Sequence, residues 1–357
     1  MIKIIWGLAF FFLTLFFLFF SILIISRIYK NIQHNRRKKI KKELSEPISE
    51  YLFDENLQET FSNNSYRPIQ KIFGKKYRKN SFSRAVLRKE IFRLHESYSG
   101  EIKQKLEDLF IVFGFEKDLS KKLRSSIWHI KANAICDAAQ MNIKDEANYI
   151  FNLINHSNPI VRTEARVACV RLNKKNPFYF FNKIKYDMSD FDEIRILDAL
   201  MEYSVLEIPP MGNWLESTNE SVVVFSLKII GYYIQDTETL KVLGLLNSDS
   251  EKIKTQAIKT LGELGSKKSL SSLFECLKKE KKNKKMTIHV LESLKMIGIF
   301  DSDVPKLLEC LKKYDYEIIF AACLVIKTAP DGVAILKKLC ENSDKEVVKI
   351  IEYAIYY

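Results

Sequence analysis

The N-terminal apolar run constrains the fold of this chain more than any other feature. Residues 4–25 carry no charge and include seven phenylalanines. A helix rises about 1.5 Å per residue, so a run of 22 residues reaches across a hydrocarbon core of roughly 30 Å. A cleaved signal peptide would have a shorter apolar region followed by a small-residue cleavage site. The sequence therefore predicts a retained transmembrane helix over residues 4–26, bounded by Ile4 and Ile25.

The charges that flank the run predict its direction across a membrane. Only Lys3 and the α-amine precede it, whereas the segment from Arg27 to Lys42 after it has eight cations and no acid. By the positive-inside rule, we expect the N-terminus outside and the C-terminal body in the cytoplasm, at an inner or plasma membrane. Trp6 and Tyr29 would mark the two interfaces. The cations expected to face lipid are Arg27, Lys30, Arg36, Arg37, Lys38, Lys39, Lys41 and Lys42.

The net charge of +13 is concentrated near the N-terminus. Up to Arg93 the chain has 19 basic and 7 acidic residues, whereas from Leu94 onward it has 38 basic and 37 acidic residues. Nucleic-acid binding requires a basic surface, so the near-neutral body makes it the alternative function rather than the leading one. None of the six cysteines has CxxC spacing, which gives no support to a zinc site.

Residues 27–83 have the blocked charge pattern of a juxtamembrane linker. A basic block is followed by acids between 43 and 59, and a second basic block follows from Arg67. One interpretation is a solvated tether. The other is that the second block docks on anionic lipid or on an acidic partner, with the interleaved Phe73, Tyr77 and Phe82 contacting that surface. The cations that would dock are Lys75, Lys76, Arg78 and Lys79.

An internal repeat dominates the rest of the chain. From residue 126 onward the spacing of apolar residues is helical, and a pentad with an aliphatic first and a small or apolar fifth residue recurs. Its eight copies begin at 130, 161, 194, 223, 253, 286, 319 and 348, which gives a unit of about 31 residues. A second segment, LFECLKK at 273–279, returns as LLECLKK at 307–313. Each unit is therefore predicted to contain two helices.

Two of the repeats resemble the HEAT-repeat family in its short-unit form. The residues that carry the resemblance are 158–165 (NPIVRTEA) and 249–262 (DSEKIKTQAIKTLG). Val224, Thr287 and Phe320 depart from the pattern, which has a basic residue there. Tetratricopeptide repeats are the rival, but their signature residues and fixed period are absent. The resemblance implies an all-α protein whose transmembrane helix is followed, after a helical cap over 84–125, by an α-solenoid of stacked helix pairs over 126–357.

No motif for chemistry accompanies the repeats. The chain has no Walker loop, GxGxxG, HExxH or GxSxG sequence. Some HEAT-like enzymes hold a di-iron site with several His-Glu pairs, whereas His95-Glu96 is the single such pair here. We therefore expect no catalytic residue, no cofactor and no metal site, and a protein that is not an enzyme.

A lysine cluster is the candidate docking site of the repeat region. Its members are Lys278, Lys279, Lys281, Lys282, Lys284 and Lys285. One interpretation is a solvated loop whose first two lysines complement a helix C-terminus, and the other is a docking rim for an acidic partner or for the membrane surface. We expect a membrane-tethered scaffold that binds a protein partner. The resemblance to anchored bacterial HEAT proteins suggests service to an envelope or polysaccharide-synthesis complex, with a nucleic-acid-binding HEAT-like protein as the alternative.

Overall fold

The computed structural model describes residues 2–53, 67–202, 208–311, 316–341 and 343–356. Within these ranges the secondary structure is helical and contains no strand. The chain divides into unit 1, Met1–Ile143, and unit 2, Lys144–Tyr357. The division falls inside the region predicted as the solenoid.

Unit 1 is built around one long helix. Its helices are α1 (Ile2–Phe53), α2 (Arg67–Phe73), α3 (Lys76–Lys79), α4 (Ser81–Ser97), α5 (Glu101–Val112), α6 (Phe115–Leu123) and α7 (Trp128–Gln140). The C-terminal part of α1 packs on α2, α4 and α5, and each helix from α4 to α7 packs on the next. The helices α4, α5 and α6 cover the range predicted as a helical cap.

The apolar run forms the first half of α1. Its side chains from Phe10 to Ile25 are exposed, and so are those of Trp6 and Tyr29. The side chain of Ile4 lies outside what the structure describes. Within the described residues, α1 is the one helix that is long and apolar enough to cross a membrane by length and composition, a test that an N-terminal signal sequence also passes.

The helix does not end where the apolar run ends. It continues to Phe53, and Leu44, Ile48 and Tyr51 on its second half are buried. These residues recur at intervals of three and four, so they form one face that packs on the body of unit 1. For residues 40–52 the structure therefore has a packed helix face in place of a solvated tether, whereas residues 27–39 continue the helix with largely exposed side chains. Residues 54–66 of the expected linker lie outside the described residues.

Unit 2 is a helical repeat. Its helices are α8 (Ala147–Phe151), α9 (Pro159–Leu172), α10 (Asp190–Leu200), α11 (Glu220–Tyr232), α12 (Thr239–Gly244), α13 (Glu251–Leu264), α14 (Leu270–Lys279), α15 (Lys284–Ile297), α16 (Val304–Leu308), α17 (Tyr316–Ile326), α18 (Gly332–Glu341) and α19 (Lys345–Tyr356). The long helices stack on one another. The helix α9 packs on α10. Further along the chain, α11 packs on α13, α13 on α15, α15 on α17 and α17 on α19. This confirms an α-solenoid of stacked helix pairs.

All eight predicted pentads lie on long helices, but two were placed in the wrong register. Ile194 is 62 % exposed, and the position of α10 that matches Val161 of α9 is Asp192, since Ile196, Ala199 and Leu200 are the buried residues that follow. On α19 the match is Val347 rather than Val348, because Ile351 and Ala354 are buried. The corrected positions 130, 161, 192 and 223 are spaced by 31 residues. The error on α10 arose because Asp192 is an acid at a position that is apolar in the other units.

The second helix of several units is short or is replaced by a 3-10 turn, although two helices were predicted for each unit. Where a second helix would lie, the described residues have a 3-10 turn at Phe181–Lys183 between α9 and α10, and another at Met211–Trp214 between α10 and α11. Aromatic side chains fill this part of the core, with Phe178 and Phe181 lying 5.6 and 5.8 Å from the ring of Trp214. Full second helices are present at α14 and α18.

Small residues let the long helices approach one another closely. The Thr260 hydroxyl donates a hydrogen bond to the carbonyl of Leu227 on α11 at 2.9 Å, and the Ser293 hydroxyl donates to Ile258 on α13 at 2.8 Å. A Cβ added at Gly262 would lie 2.9 Å from the Cα of Ser293. The stacking of α11, α13 and α15 therefore depends on these positions staying small.

A carboxyl group of unit 1 should make its stability depend on pH. Burial, with the neighbouring Glu107, raises the pKa of Asp108 to about 6. Because this pKa lies above its ordinary value of 3.8, folding favours the protonated form, and stability is lost as pH rises from about 4 to 6. We expect Asp108→Asn to raise the melting temperature at pH 7.5 and to leave it unchanged at pH 4. Thermal unfolding at both values checks this, with Glu46→Gln at an exposed site of α1 as the control. An equal gain at both pH values would contradict it.

Candidate interaction surfaces

The cations that follow the apolar run do not all have the same surroundings. All eight are exposed on α1. The guanidinium groups of Arg36 and Arg37 lie 4.9 and 5.9 Å from the ring centre of Phe82, and Lys41 forms an ion pair with Glu90 at 3.3 Å. The second half of this block therefore faces α4 of the same unit, whereas Arg27 and Lys30 lie closest to the apolar run.

The second basic block is partly used inside unit 1. Lys76 forms an ion pair with Glu43 of α1, and its hydrogen bond lowers the pKa of Glu43. Phe73 and Tyr77 are buried, so the expectation that they contact an external surface is wrong. Their rings lie 6.5 Å apart, and the Phe73 ring also packs on that of Phe113. Lys75, Arg78 and Lys79 are exposed. Docking through these cations stays a prediction.

A groove separates α1 from α4, and we call it the α1–α4 groove. Its volume is about 680 Å³. Its lining residues are His34, Arg37, Lys38, Lys41, Phe82, Ala85, Val86, Lys89, Glu90 and Arg93. Burial raises the pKa of Glu90, but hydrogen bonds from Arg93 and Lys41 outweigh burial and leave it below the ordinary value. The groove thus has an apolar floor and a rim of cations. The one acid of its lining, Glu90, is already paired with Arg93 and Lys41.

The lysine cluster of unit 2 is divided among several environments. Lys278 and Lys281 line a groove between α14 and α16, whereas Lys279 lines the neighbouring groove toward α12 and donates to Asn247 at 3.4 Å. Lys284 forms an ion pair with Glu317 at 2.8 Å. Lys282 and Lys285 are exposed. The six lysines therefore do not form one continuous rim.

The α14–α16 groove combines an apolar floor with an edge of three lysines and one acid, Glu275. Its volume is about 420 Å³. Phe274, Leu277 and Cys310 form the floor, and Lys306 lies 4.8 Å from the ring centre of Phe274. Lys306 also pairs with Asp303 at 2.7 Å, which orients the ammonium group at the groove edge. Such a surface fits a partner with an apolar side chain beside an acidic one.

Unit 2 contains a buried ion pair that was not predicted from the sequence. The side chains of Arg166 and Asp192 are 0 % and 8 % exposed, and their atoms Nη1 and Oδ2 lie 3.3 Å apart. Arg166 also donates to the carbonyl oxygens of Ile154 and Tyr186, at 3.3 and 2.8 Å. The signal that would have located the acid of this pair is its place 31 residues after Val161, at a position that is otherwise apolar.

The described residues hold no group of three or more His, Cys, Asp or Glu that could bind a metal ion. His95 is buried, and its Nε2 lies 3.2 Å from Glu107 of α5 rather than beside a metal-binding set. Four of the six free cysteines are buried. Burial raises the pKa of Cys169 and of Cys323 to about 12, which keeps these thiols protonated and unreactive.

Comparison with known proteins finds matches among solved structures. No family model matches it, and no curated protein does. Among solved structures it is similar to YibA of E. coli, with 19 % identity and a TM-score of 0.38 over 71 % of this chain and 97 % of that one. It is similar to an engineered protein at 15 % identity and a TM-score of 0.35, covering 86 % and 87 % of the two chains. It is also similar to a designed armadillo repeat protein at 13 % identity and a TM-score of 0.22, covering 67 % and 98 %.

Proposed function

We propose that this helical-repeat protein is a membrane-anchored scaffold of the short-unit HEAT type. The observation that carries the proposal is the continuity of α1, in which an exposed run of apolar residues leads without interruption into a buried face of unit 1. A patch of this size is unstable in water, so a bilayer is its natural surrounding. The anchor would raise the effective concentration of the repeat near membrane clients, and modest affinity would then suffice.

The partner of the repeat is proposed to be a protein that binds the α14–α16 groove. Stacked helix pairs present extended surfaces suited to protein binding. This groove adds an apolar floor and the cations Lys278, Lys281 and Lys306. A role in an envelope or polysaccharide-synthesis complex rests on the resemblance of residues 158–165 and 249–262 to the HEAT family, and no contact of the described residues selects that pathway.

Site-specific photo-crosslinking in intact cells tests this binding surface. A photoreactive amino acid replaces Ser271, which lines the groove, and in a control replaces Lys259, which is exposed on α13. We expect a discrete light-dependent adduct from position 271 and none from 259. Lys278→Glu with Lys281→Glu should reduce the adduct severalfold, because the cationic edge guides an acidic partner.

The outcome at the two positions decides the proposal. Identical adducts from 271 and 259 would mean that the groove has no special role. An adduct unaffected by the charge reversals would contradict recognition through the lysines.

A further inference from the structure

We propose that the α1–α4 groove of unit 1 is a binding site for an acidic, amphipathic segment of a partner protein. The groove lies in a different unit from the α14–α16 groove and is lined by different residues. The proposal therefore stands or falls separately from the partner assigned to the repeat.

The charge of the groove is the first support. Five cations face it, and Glu90 is the one acid of its lining. Glu90 already accepts hydrogen bonds from Arg93 and contacts Lys41. Among the described residues, no ion pair joins Arg37, Lys38 or Lys89 to a carboxylate. Three cations thus remain for an external anion.

The floor of the groove is the second support. Phe82, Ala85 and Val86 follow one another at the i, i+3 and i+4 positions of α4, so they lie on one face of the helix. They are half-buried or exposed and form an apolar surface between the cations. A polyanion such as nucleic acid gains little from that surface, whereas an amphipathic segment places its apolar side chains on it.

The position of the groove along α1 argues against a lipid headgroup as its ligand. This argument rests on the proposed membrane anchor. At about 1.5 Å per residue, His34 to Lys41 lie about 13 to 24 Å beyond Ile25. A headgroup layer is only about 5–8 Å thick. The groove would therefore stand above the headgroups, within reach of a protein segment that runs along the cytoplasmic surface.

The size of the groove fits a short helix. From Phe82 to Arg93 the wall formed by α4 is about 16 Å long, which corresponds to about three helical turns of a bound segment. A volume of about 680 Å³ is within the range of sites that hold compact ligands. A bound segment of this length would place acids against Arg37 and Lys89 and apolar side chains over Phe82.

Binding of a defined peptide to the full-length protein in phosphatidylcholine nanodiscs tests the site. The probe is a fluorescent helical peptide of Glu, Leu and Ala, with Leu along one face and three turns long. We expect saturable binding by fluorescence anisotropy. Arg37→Glu with Lys89→Glu should raise Kd about tenfold or more, because two attractive charges become repulsive. Ala85→Trp should raise Kd by a similar factor with no change of charge, since the indole would fill the floor.

Matched controls separate this site from general electrostatics. Lys117→Glu with Lys121→Glu changes the net charge equally at exposed positions of α6 outside the groove, and we expect less than about a threefold change in Kd. A peptide of the same composition with Leu distributed around the helix should bind more weakly. If either groove variant melts early, Lys38→Glu with Lys89→Glu replaces it.

Several results would overturn the proposal. Equal weakening by the control pair would assign binding to net charge alone. Displacement of the peptide by a DNA duplex, or by vesicles containing phosphatidylglycerol, with the same dependence on Ala85 would assign the groove to nucleic acid or to lipid instead. If the intact, folded protein showed no saturable binding of the peptide, the groove would not be a binding site for such a segment.

Discussion

Arg166→Met should lower the free energy of unfolding of unit 2 by about 3–5 kcal/mol, because it leaves the buried Asp192 carboxylate without its cation. The carboxylate also accepts hydrogen bonds from Thr163 and Ser189, but hydroxyl and amide donors do not replace a charge. Trp214, which lies in the aromatic core of unit 2, reports unfolding in a protein whose Trp6 and Trp128 are changed to Phe. Urea titration of the full chain gives the free energy.

Two further variants make this result specific. Arg166→Met with Asp192→Leu should recover most of the loss, because residue 192 then matches the apolar residues at the corresponding positions of other units. Arg171→Met removes the cation that pairs with Asp198 and Glu202 at the surface, and it should cost about 1 kcal/mol or less. A double variant no more stable than Arg166→Met would contradict the assigned role of the pair.

Leu44→Ala should destabilise unit 1 by about 2–5 kcal/mol, the usual cost of removing a fully buried leucine side chain. A flexible tether would show no such effect, so the variant distinguishes a tether from a helix that is part of the fold. Trp128 of α7 reports unfolding of this unit in a protein whose other two tryptophans are changed to Phe.

Ile32→Ala is the control for the same helix. Ile32 is exposed on α1 between the apolar run and the packed face, so its loss should change the free energy of unfolding by no more than about 0.5 kcal/mol. Equal effects at residues 32 and 44 would mean that the second half of α1 does not pack on unit 1. A large effect at residue 44 alone would support a rigid connection between anchor and body.

The sequence was sufficient to predict the class of fold. Periodicity placed a pentad on each of the eight long helices that carry the repeat, because a buried helix face repeats its apolar positions whatever its neighbours are. The register failed at Asp192, where a buried acid is stabilised by Arg166 from the preceding helix. The repeat could have located the buried acid, but its cation lies 26 residues away along the chain and leaves no periodic trace, so the folded structure was needed to identify Arg166 as the partner.

The candidate surfaces were harder to predict than the helices. The lysines between 278 and 285 are adjacent in sequence, yet the turn between α14 and α15 points them into different surroundings. Conversely, the α1–α4 groove joins Arg37 to Val86, which are far apart in sequence. Charge blocks show where cations are abundant, but tertiary packing decides which of them share a surface.

Protease digestion of sealed membrane vesicles tests the central claim most directly. If α1 spans the membrane with its basic flank in the cytoplasm, protease should digest units 1 and 2 in inverted vesicles and leave them intact in right-side-out vesicles. The protein should also stay in the membrane at alkaline pH, and deletion of residues 2–26 should release it. Digestion of the body in right-side-out vesicles, or release of the intact chain at alkaline pH, would contradict the account.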